Sequence, residues 1–462
     1  MKEGPVTAAM AELVLALEPR HLPEATADLV TRAFVDSLGC GLVGSVQPEG
    51  QISRGLVESM GGAPESTLIG AGGTRVPAAW AALANGTTMH ALDYDDFALK
   101  RMMHPSVVFV PVVLALGERD GATGLDLLMA YAAGYETAAR ISRRINPEHY
   151  ARGWHSTSTI GGLGAAAAAA RMLDLDATGI AMAIAIAGSS AAGLRNNFGT
   201  MVKPLHAGNA ALHGVLAAEL VARGYTASVS ILDGDRSYPE VYRNDDTAEV
   251  TATDFSLDEL ELVTSGITFK RYTCCGAIHA ALDATLELAA EHGLTPANVA
   301  SVRCAVHPRS PEILIHHTAD TPEQGRFCVE YSLAVALADG HAGVPQYTDE
   351  RIADDAVQEL SRRVEVVVDE TLGQGEGAET AISNSVVTIV TTDGRTLVHR
   401  VPPHRPMSWD EIERKFRSNA SAVLDPEGVE TAWRLARSLP ELEDAGELIR
   451  AFSGAAAGQV AR

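Results

Sequence analysis

The feature that most restricts how this chain can fold is the run GGLGAAAAAARML from Gly161 to Leu173. Alanine has the highest helix propensity of the amino acids, so this run predicts a helix. Aromatic residues make up only 5% of the chain and glycine occurs 42 times, so the core must be built from Ala, Val, Leu and Ile at close helix–helix contacts. The sequence therefore predicts a mainly α-helical large domain.

The hydrophobic pattern changes along the chain, which indicates a second domain. At 462 residues the chain exceeds one domain of ordinary size. Helical spacing dominates the first half, whereas Val299–His307 and Arg363–Asp369 have strand-like patterns. Ser385–Val401 has the pattern of a β-hairpin with its turn at Asp393-Gly394.

Helical patterns return near the C-terminus, where Ser408 and Glu411 have the spacing of a capping box. We therefore predict a mostly α fold with an α+β part. The large helical domain would comprise residues 1–267 and 404–462. Residues 268–403 would form a smaller α+β lid domain inserted between the two helical segments.

Charge and composition exclude several classes of protein. The formal net charge of −23 and a pI near 5.0 argue against a nucleic-acid partner, since such proteins need a basic face. The N-terminus lacks the pattern of a signal peptide, and the most apolar segments, Val107–Leu116 and Gly179–Leu194, are too short or too rich in Gly and Ser to span a bilayer. Five cysteines without zinc-type spacing indicate reduced thiols, so we expect a soluble cytoplasmic protein with no membrane partner.

The stretch from Asn85 to Pro105, NGTTMHALDYDDFALKRMMHP, concentrates acid and base groups between two helical patterns. It carries His90, His104, Asp93, Asp95 and Asp96. Such a density of ionisable groups between two core helices predicts the rim of an active site. Two alternatives remain. One is a solvated acidic loop with incidental histidines. The other is a metal site formed by the three aspartates with His90, for which an acidic cluster without a neighbouring ligand motif is only weak support.

Further candidates lie near predicted helix starts. His155 precedes the alanine-rich helix, whose first amides could attract a carboxylate. Lys203 lies at the start of a helix of small residues, which is unfavourable for a structural lysine but suits one that neutralises a substrate carboxylate. Lys270 and Arg271 precede another helix and are candidate anion-binding residues. The chain has no phosphate-binding loop and no nucleophile elbow, so we predict acid/base catalysis with neither a metal nor a cofactor.

The ordered motifs HALDYDDF, HPS, HSTSTIGGLGAAAAAARMLDLD, GTMVKPLHAGNAALHG, FKRYTCCGAIHA and FCVEYSLAVALADG resemble those of the MmgE/PrpD family. The resemblance runs from about Pro23 to Phe452. It implies a large helical domain, a smaller α+β lid, an active site between them and a homodimer. The residues that match the family's catalytic positions are Asp93, His104, His155, Lys203 and Lys270. The residues expected to contact the substrate are Tyr94, Arg271, Tyr272, His279 and Tyr331.

The resemblance, taken with the candidate residues, predicts a lyase that acts on a di- or tricarboxylate. Lys203 and Lys270 would clamp a substrate carboxylate, while Asp93, His104 and His155 would supply acid and base groups. The expected reaction is that of a 2-methylcitrate dehydratase-type hydro-lyase. A cis-aconitate decarboxylase-type carboxy-lyase and an iminodisuccinate epimerase-type isomerase are alternatives, and a non-catalytic helical binding protein is a second alternative.

Overall fold

The computed structural model describes residues 5–243, 249–374, 382–402 and 405–454. Most of these residues are helical, and the fold is the mostly α arrangement with an α+β part that the sequence predicts. The helices of eight or more residues are Val6–Ala16, Glu24–Ser45, Pro48–Met60, Ala78–His90, Ser106–Asp120, Gly124–Ile145, Gly161–Met172, Ala177–Ser189, Val202–Ala222, His279–His292, Val329–Asp339, Trp409–Ala420 and Pro426–Arg437.

Shorter helices lie mainly in the connections. The α-helical ones are Glu148–Ala151, Ser156–Thr159, Tyr238–Tyr242, Glu261–Thr264, Pro322–Gly325, Asp349–Ile352, Asp355–Ser361 and Ala445–Ala451.

The large hydrophobic cluster is built from helices that approach each other closely because their contact residues are small. The predicted alanine-rich helix forms as Gly161–Met172, with a fully buried run of alanines. Helix Val202–Ala222 packs against helix Ala78–His90 at Gly208, where a Cβ atom would collide with the carbonyl oxygen of Leu83. This close contact brings the C-terminal end of one helix to the N-terminal end of the other, and so places His90 beside Lys203.

A second hydrophobic cluster surrounds a small mixed sheet. Its strand order is Val364–Val368, Val299–Val306, Ser385–Thr391 and Thr396–His399. The first two strands are parallel and the other pairs are antiparallel. Helices His279–His292 and Val329–Asp339 cover this sheet, so the predicted change from helical to α+β structure is present. A separate two-stranded ribbon, Ser66–Thr67 with Arg75–Val76, packs beside the large cluster.

Several local predictions are confirmed by the structure. The hairpin turns at Asp393 and Gly394, and Gly394 has a φ of 89° that favours glycine. The Ser408 side chain caps helix Trp409–Ala420, with Glu411 completing the capping box. The terminal helices pack into the large cluster, but the domain bounds themselves stay a prediction, and the proposed boundary at residues 403 and 404 lies outside the described residues.

Within the described ranges, no single helix is long and apolar enough to cross a membrane. The pair Glu24–Ser45 and Pro48–Met60 passes the same test only when taken together, and it is bent by 84°.

Candidate active site

A cavity of about 330 Å³ lies where the two hydrophobic clusters meet. All five predicted catalytic residues line it: Asp93, His104, His155, Lys203 and Lys270. Phe97–Met103, the bulky and basic loop that follows Asp93, forms one wall. Among the described lining residues, Asp93 is the only carboxylate, whereas the cations are Lys100, Arg101, Lys203, Lys270 and Arg309. A chain with a net charge of −23 thus keeps a cationic cavity, which suits an anionic substrate.

The carboxylate of Asp93 lies between two buried ammonium groups. Its Oδ1 accepts a hydrogen bond of 2.6 Å from Lys203 Nζ and lies 3.0 Å from Lys270 Nζ. Burial opposes ionisation of Asp93, but the two lysines outweigh that penalty and hold the pKa of its carboxyl well below its usual range. Burial lowers the pKa of Lys270, but Asp93 more than compensates and the pKa lies above its ordinary value. Asp93 and Lys270 are therefore both charged at neutral pH.

Each lysine retains one donor for a ligand. Lys203 Nζ donates to Asp93 Oδ1 and lies 3.0 Å from His90 Nε2. Lys270 Nζ contacts Asp93 twice, at Oδ1 and at the backbone carbonyl oxygen, the latter at 2.7 Å. An ammonium group has three N–H donors, so one on each lysine has no protein acceptor among the described residues. Both side chains line the cavity, where a substrate carboxylate could accept the remaining donors.

Asp95 orients two histidines at once. Its Oδ1 lies 2.8 Å from His90 Nδ1, and its Oδ2 lies 2.9 Å from His104 Nδ1. His104 Nδ1 also lies 2.9 Å from the backbone carbonyl of Asp96, so both neighbours of this nitrogen are acceptors. His104 therefore carries its proton on Nδ1, and its Nε2 atom has a lone pair. This Nε2 atom lies 3.7 Å from Asp93 Oδ1.

Asp95 also determines how His90 contacts Lys203. The proton on His90 Nδ1 points to Asp95, so His90 Nε2 accepts from the ammonium group of Lys203. Burial lowers the pKa of His90 to about 4, and burial also lowers the pKa of His104, although Asp95 opposes both shifts. Both imidazoles are thus neutral at pH 7.

His155 has different surroundings from the other two histidines. It is the residue before helix Ser156–Thr159, and its Nδ1 lies 3.1 Å from Nδ1 of His206. The ring of Phe198 packs edge-on against it with a centroid distance of 5.0 Å. Burial and Lys203 hold the pKa of His155 well below its usual value. No carboxylate contacts this imidazole within the part of the chain that the structure describes, so His155 is not held in the tautomer of His104.

The spacing of four side chains would also permit a metal ion. One ligand atom from each of His90, Asp93, Asp95 and His104 lies within 4.8 Å of the others. However, both oxygens of Asp95 already face histidine Nδ1 atoms, and Lys203 already contacts Asp93 and His90. Two ammonium groups next to a divalent cation would add strong repulsion. The donor set therefore fits an ion-pair network better than a metal centre.

The five residues expected to contact the substrate lie elsewhere. None is among the described residues that line the cavity. Tyr94 Oη donates to the carbonyl of Arg271, and Arg271 itself pairs with Glu411. Tyr272 Oη donates to Asp283, with the ring of His279 packed against the Tyr272 ring, and Tyr331 Oη donates to the carbonyl of Gln346. The structure thus places these side chains around the site, and direct substrate contact by them stays a prediction.

Three residues that organise the site were not predicted from the sequence to position other side chains. These are Asp95, His206 and Lys415. Lys415 Nζ donates to the backbone carbonyls of Tyr94 and Lys270, at 2.6 and 3.0 Å, and so joins the two segments that carry Asp93 and Lys270. The pattern KPLHAG at residues 203–208 marks His206 only weakly, and nothing local distinguishes Lys415 from other lysines of an amphipathic helix.

Comparison with known proteins identifies the family of this chain and several relatives. Family models described as the MmgE/PrpD N-terminal and C-terminal domains match residues 8–251 and 272–441. A protein named cis-aconitate decarboxylase from Homo sapiens is 28% identical over 99% of this chain and 96% of its own length. Proteins of the same name from Mus musculus and Aspergillus terreus are 28% and 26% identical, over 97% and 91% of this chain and 93% and 91% of their own lengths.

These relatives confirm the prediction of an enzyme of the lyase class and give no support to a non-catalytic binding protein. Their names describe a decarboxylase, whereas the reaction predicted from the sequence was that of a 2-methylcitrate dehydratase-type hydro-lyase. Because the N-terminal model alone covers more than half of the sequence and the C-terminal model follows it, the chain belongs to the MmgE/PrpD family.

Proposed function

We propose that this lyase is a cofactor-independent carboxy-lyase that decarboxylates a tricarboxylate of the cis-aconitate type. The observation that carries the proposal is the pair of ammonium groups on Lys203 and Lys270, which share Asp93 and keep one free donor each toward the same cavity. The full-length similarity to proteins named cis-aconitate decarboxylase favours this reaction over the dehydration of 2-methylcitrate.

The lysine pair supplies electrostatic stabilisation. When the carbon–carbon bond to the leaving carboxylate breaks, its electron pair stays on the substrate and spreads toward a neighbouring carboxylate. Ammonium donors that are already in place stabilise this developing charge, and a single such donor contributes about 3–4 kcal/mol in comparable sites. Asp93 cancels only one of the two positive charges, so the cavity keeps a net attraction for the anion.

The histidines supply the proton chemistry. Decarboxylation consumes one proton, which must be delivered to a carbon of the carbanion that the loss of CO₂ leaves behind. His104 has its lone pair at Nε2 and is arranged as a base, because Asp95 and the Asp96 carbonyl hold its proton at Nδ1. His155 has no such acceptor at Nδ1, so its Nε2 is free to carry the proton. We assign His155 as the proton donor and His104 as a group that positions the substrate.

A hydro-lyase acting on 2-methylcitrate is the second candidate. It is favoured by the lone pair of His104 Nε2 beside the lysine pair, since dehydration begins with removal of a proton next to a carboxylate. An epimerase would use the same lone pair without loss of a leaving group.

One experiment separates these reactions. Purified, chelator-treated protein is incubated in deuterated buffer with cis-aconitate, 2-methylcitrate, citrate or an aspartate-derived imino diacid, and the products are followed by NMR. We expect cis-aconitate to lose CO₂ and the product to carry one deuterium at the new C–H bond. Water loss from 2-methylcitrate, or exchange of the imino diacid alone, would replace the proposal with the corresponding alternative.

The absence of a metal requirement is tested in the same assay. Activity should be equal after chelation and after addition of Mg²⁺ or Zn²⁺, because the ligand atoms in the site are already paired with lysines and histidines. A rate that rises with added metal would contradict this part of the proposal.

We also propose that the protein is a cytoplasmic homodimer. The free thiols of all five cysteines fit a reducing compartment. Size-exclusion chromatography with light scattering should give twice the chain mass of 48.6 kDa. A single-chain mass would rule out the dimer, and fractionation of the source cells tests the compartment.

A further inference from the structure

A second cavity lies directly behind His155. It measures about 350 Å³ and is lined by His206, together with Ser158, Ser190, Asn209 and His213. Its rim includes the exposed side chains of Leu194 and Val202, so this cavity opens to the protein surface. Among the described residues, His155 lines the catalytic cavity and His206 does not. The second cavity has the reverse arrangement, with His206 in its wall and His155 outside it. The two imidazoles are thus the partition between the cavities.

The contact between these rings defines a path for a proton. The Nδ1 atoms lie 3.1 Å apart, with both residues at most 5% exposed. Burial lowers the pKa of His206 to about 4 and holds the pKa of His155 well below its usual value, so both rings are neutral at pH 7. A neutral imidazole has one N–H and one lone pair, so one Nδ1 donates and the other accepts.

The other nitrogen of each ring is available to its own cavity. Neither Nε2 has a hydrogen-bond partner within the described ranges, and neither is among the fully enclosed polar atoms. One Nε2 can therefore exchange protons with the second cavity while the other reaches a ligand in the catalytic cavity. Lys203 also faces this pair, but its Nζ is hydrogen-bonded to Asp93 and His90 rather than to either ring, so it does not interrupt the path.

We propose that His206 is a positioning residue that relays protons from the second cavity to His155, and so supplies the proton that decarboxylation consumes. This inference rests on the proposed function. It explains how a proton reaches the substrate when a bound tricarboxylate has expelled water from the catalytic cavity.

Each turnover moves one proton from the solvent to the substrate. A proton that hydronium brings from the bulk solvent through the second cavity is added to His206 Nε2, which leaves water behind. At the same time the proton on His206 Nδ1 passes to Nδ1 of His155, which becomes an imidazolium held by the bound anion. The carbon–carbon bond breaks, CO₂ leaves, and the N–H bond at His155 Nε2 breaks as the new C–H bond forms. After the product leaves, water refills the catalytic cavity and exchange returns both rings to their starting tautomers.

Two substitutions of His206 separate relay from orientation. His206→Asn places a carbonyl or amide group near the position of Nδ1 and can keep a hydrogen bond to His155, but it cannot pass a proton through the ring. His206→Ala removes both functions. His213→Ala is the matched control, because His213 lines the same cavity and has no contact with His155.

Steady-state decarboxylation in H₂O and D₂O is the test. We expect both His206 variants to lower kcat by about 100-fold, within the usual range for proton-transfer groups, with little change in KM and a larger solvent isotope effect. His213→Ala should match the wild type in both solvents. The proposal is overturned if His206→Asn restores wild-type kcat, which would show that orientation alone matters, or if neither variant changes kcat and the isotope effect.

A second measurement does not depend on turnover. In protein labelled with ¹⁵N-histidine, we expect one protonated and one unprotonated Nδ1 in the His155–His206 pair, assigned by comparison with His206→Asn. Two protonated or two unprotonated Nδ1 atoms would overturn the relay. If the wild type decarboxylates none of the acids but the NMR signature is present, the proposed reaction fails while the shared proton stands; if the wild type is active and the signature is absent, the relay alone fails.

Discussion

Lys270 Nζ donates a 2.7 Å hydrogen bond to the backbone carbonyl of Asp93 and lies 3.0 Å from the Oδ1 atom of the same residue. Asp93 has a φ of 48°, a left-handed conformation that is uncommon for residues other than glycine. The lysine therefore stabilises a strained turn and, with the same ammonium group, presents a donor to the cavity. The two contacts couple the backbone geometry of the aspartate to the charge of the site.

Replacement of this lysine should remove much of the activity. For Lys270→Ala we expect kcat/KM to fall by roughly 100- to 1,000-fold, the loss typical of one well-placed electrostatic donor. The rate of CO₂ release measures this change. Lys100→Ala is the matched control, since Lys100 lines the same cavity but its Nζ donates to the Thr264 carbonyl near the surface. Unchanged turnover of Lys270→Ala would refute the carboxylate clamp.

Asp95 should control the tautomer of His104. In Asp95→Asn, the amide group can donate to His104 Nδ1, which would move the imidazole proton to Nε2 and remove the lone pair from the cavity. We expect kcat to fall by about 100-fold or more, the scale of a lost acid/base group. Histidine ¹⁵N NMR would report the change of tautomer directly.

Asp96→Asn provides the control for that experiment. Burial and the nearby Asp36 raise the pKa of the Asp96 carboxyl well above its usual range, which favours the uncharged form of this side chain before substitution. The amide is nearly the same size and can keep the contact with Ser106 Oγ. Activity close to that of the wild type is expected, and a loss equal to that of Asp95→Asn would contradict the role given to Asp95.

Lys415 should be needed to hold the two active-site segments together. Its Nζ lies 2.6 Å from Asp36 Oδ1, as well as contacting the carbonyls of Tyr94 and Lys270. Lys415→Met leaves Asp36 buried without its partner, and breaking a buried pair costs about 3–5 kcal/mol of unfolding free energy. Urea unfolding measures this loss, and the assay for decarboxylation measures the accompanying fall in kcat.

The double variant Asp36→Leu/Lys415→Met distinguishes stability from positioning. Apolar replacement of both members of a buried pair is often close to neutral, so much of the stability should return. The activity should not return, because the carbonyls of Tyr94 and Lys270 would still lack their common donor. Full recovery of kcat in the double variant would show that Lys415 acts only through stability.

A buried histidine outside the site should contribute to acid sensitivity. His149 is fully buried between Thr159 Oγ1 and the Tyr242 carbonyl, and burial lowers the pKa of His149 to about 4. Its unfolded value is about 6.5, so the unfolded chain binds a proton that the folded chain does not. The contribution of His149 to stability is complete above pH 6.5 and is lost as the pH falls toward 4.

The corresponding variant tests the sign of this effect. Between pH 6.5 and 4.5, the unfolding free energy of His149→Gln should fall less steeply than that of the wild type, by at most about 1.4 kcal/mol per pH unit. Urea unfolding followed by circular dichroism at several pH values gives both slopes. A steeper slope in the variant would contradict the direction of the pKa shift.

Local sequence patterns were sufficient for most of the secondary structure. Alanine-rich composition and helical spacing predicted helix Gly161–Met172, and the Asp393-Gly394 pair located the hairpin turn, because these signals depend on residues close together in the chain. The motifs carrying Asp93, His104, His155, Lys203 and Lys270 were also visible, and the structure brings all five to one cavity.

The role of each polar group was decided by the tertiary structure alone. Sequence could not show that Asp95 orients both His90 and His104, or that His206 meets His155, since these contacts depend on how whole helices pack. It also could not show that Tyr94 and Tyr331 turn to backbone carbonyls rather than to the cavity. The sequence by itself determined which chemical groups are present and which segments of the chain carry them. Tertiary packing decided their burial, partners and protonation, because those properties depend on groups that lie far apart in the chain.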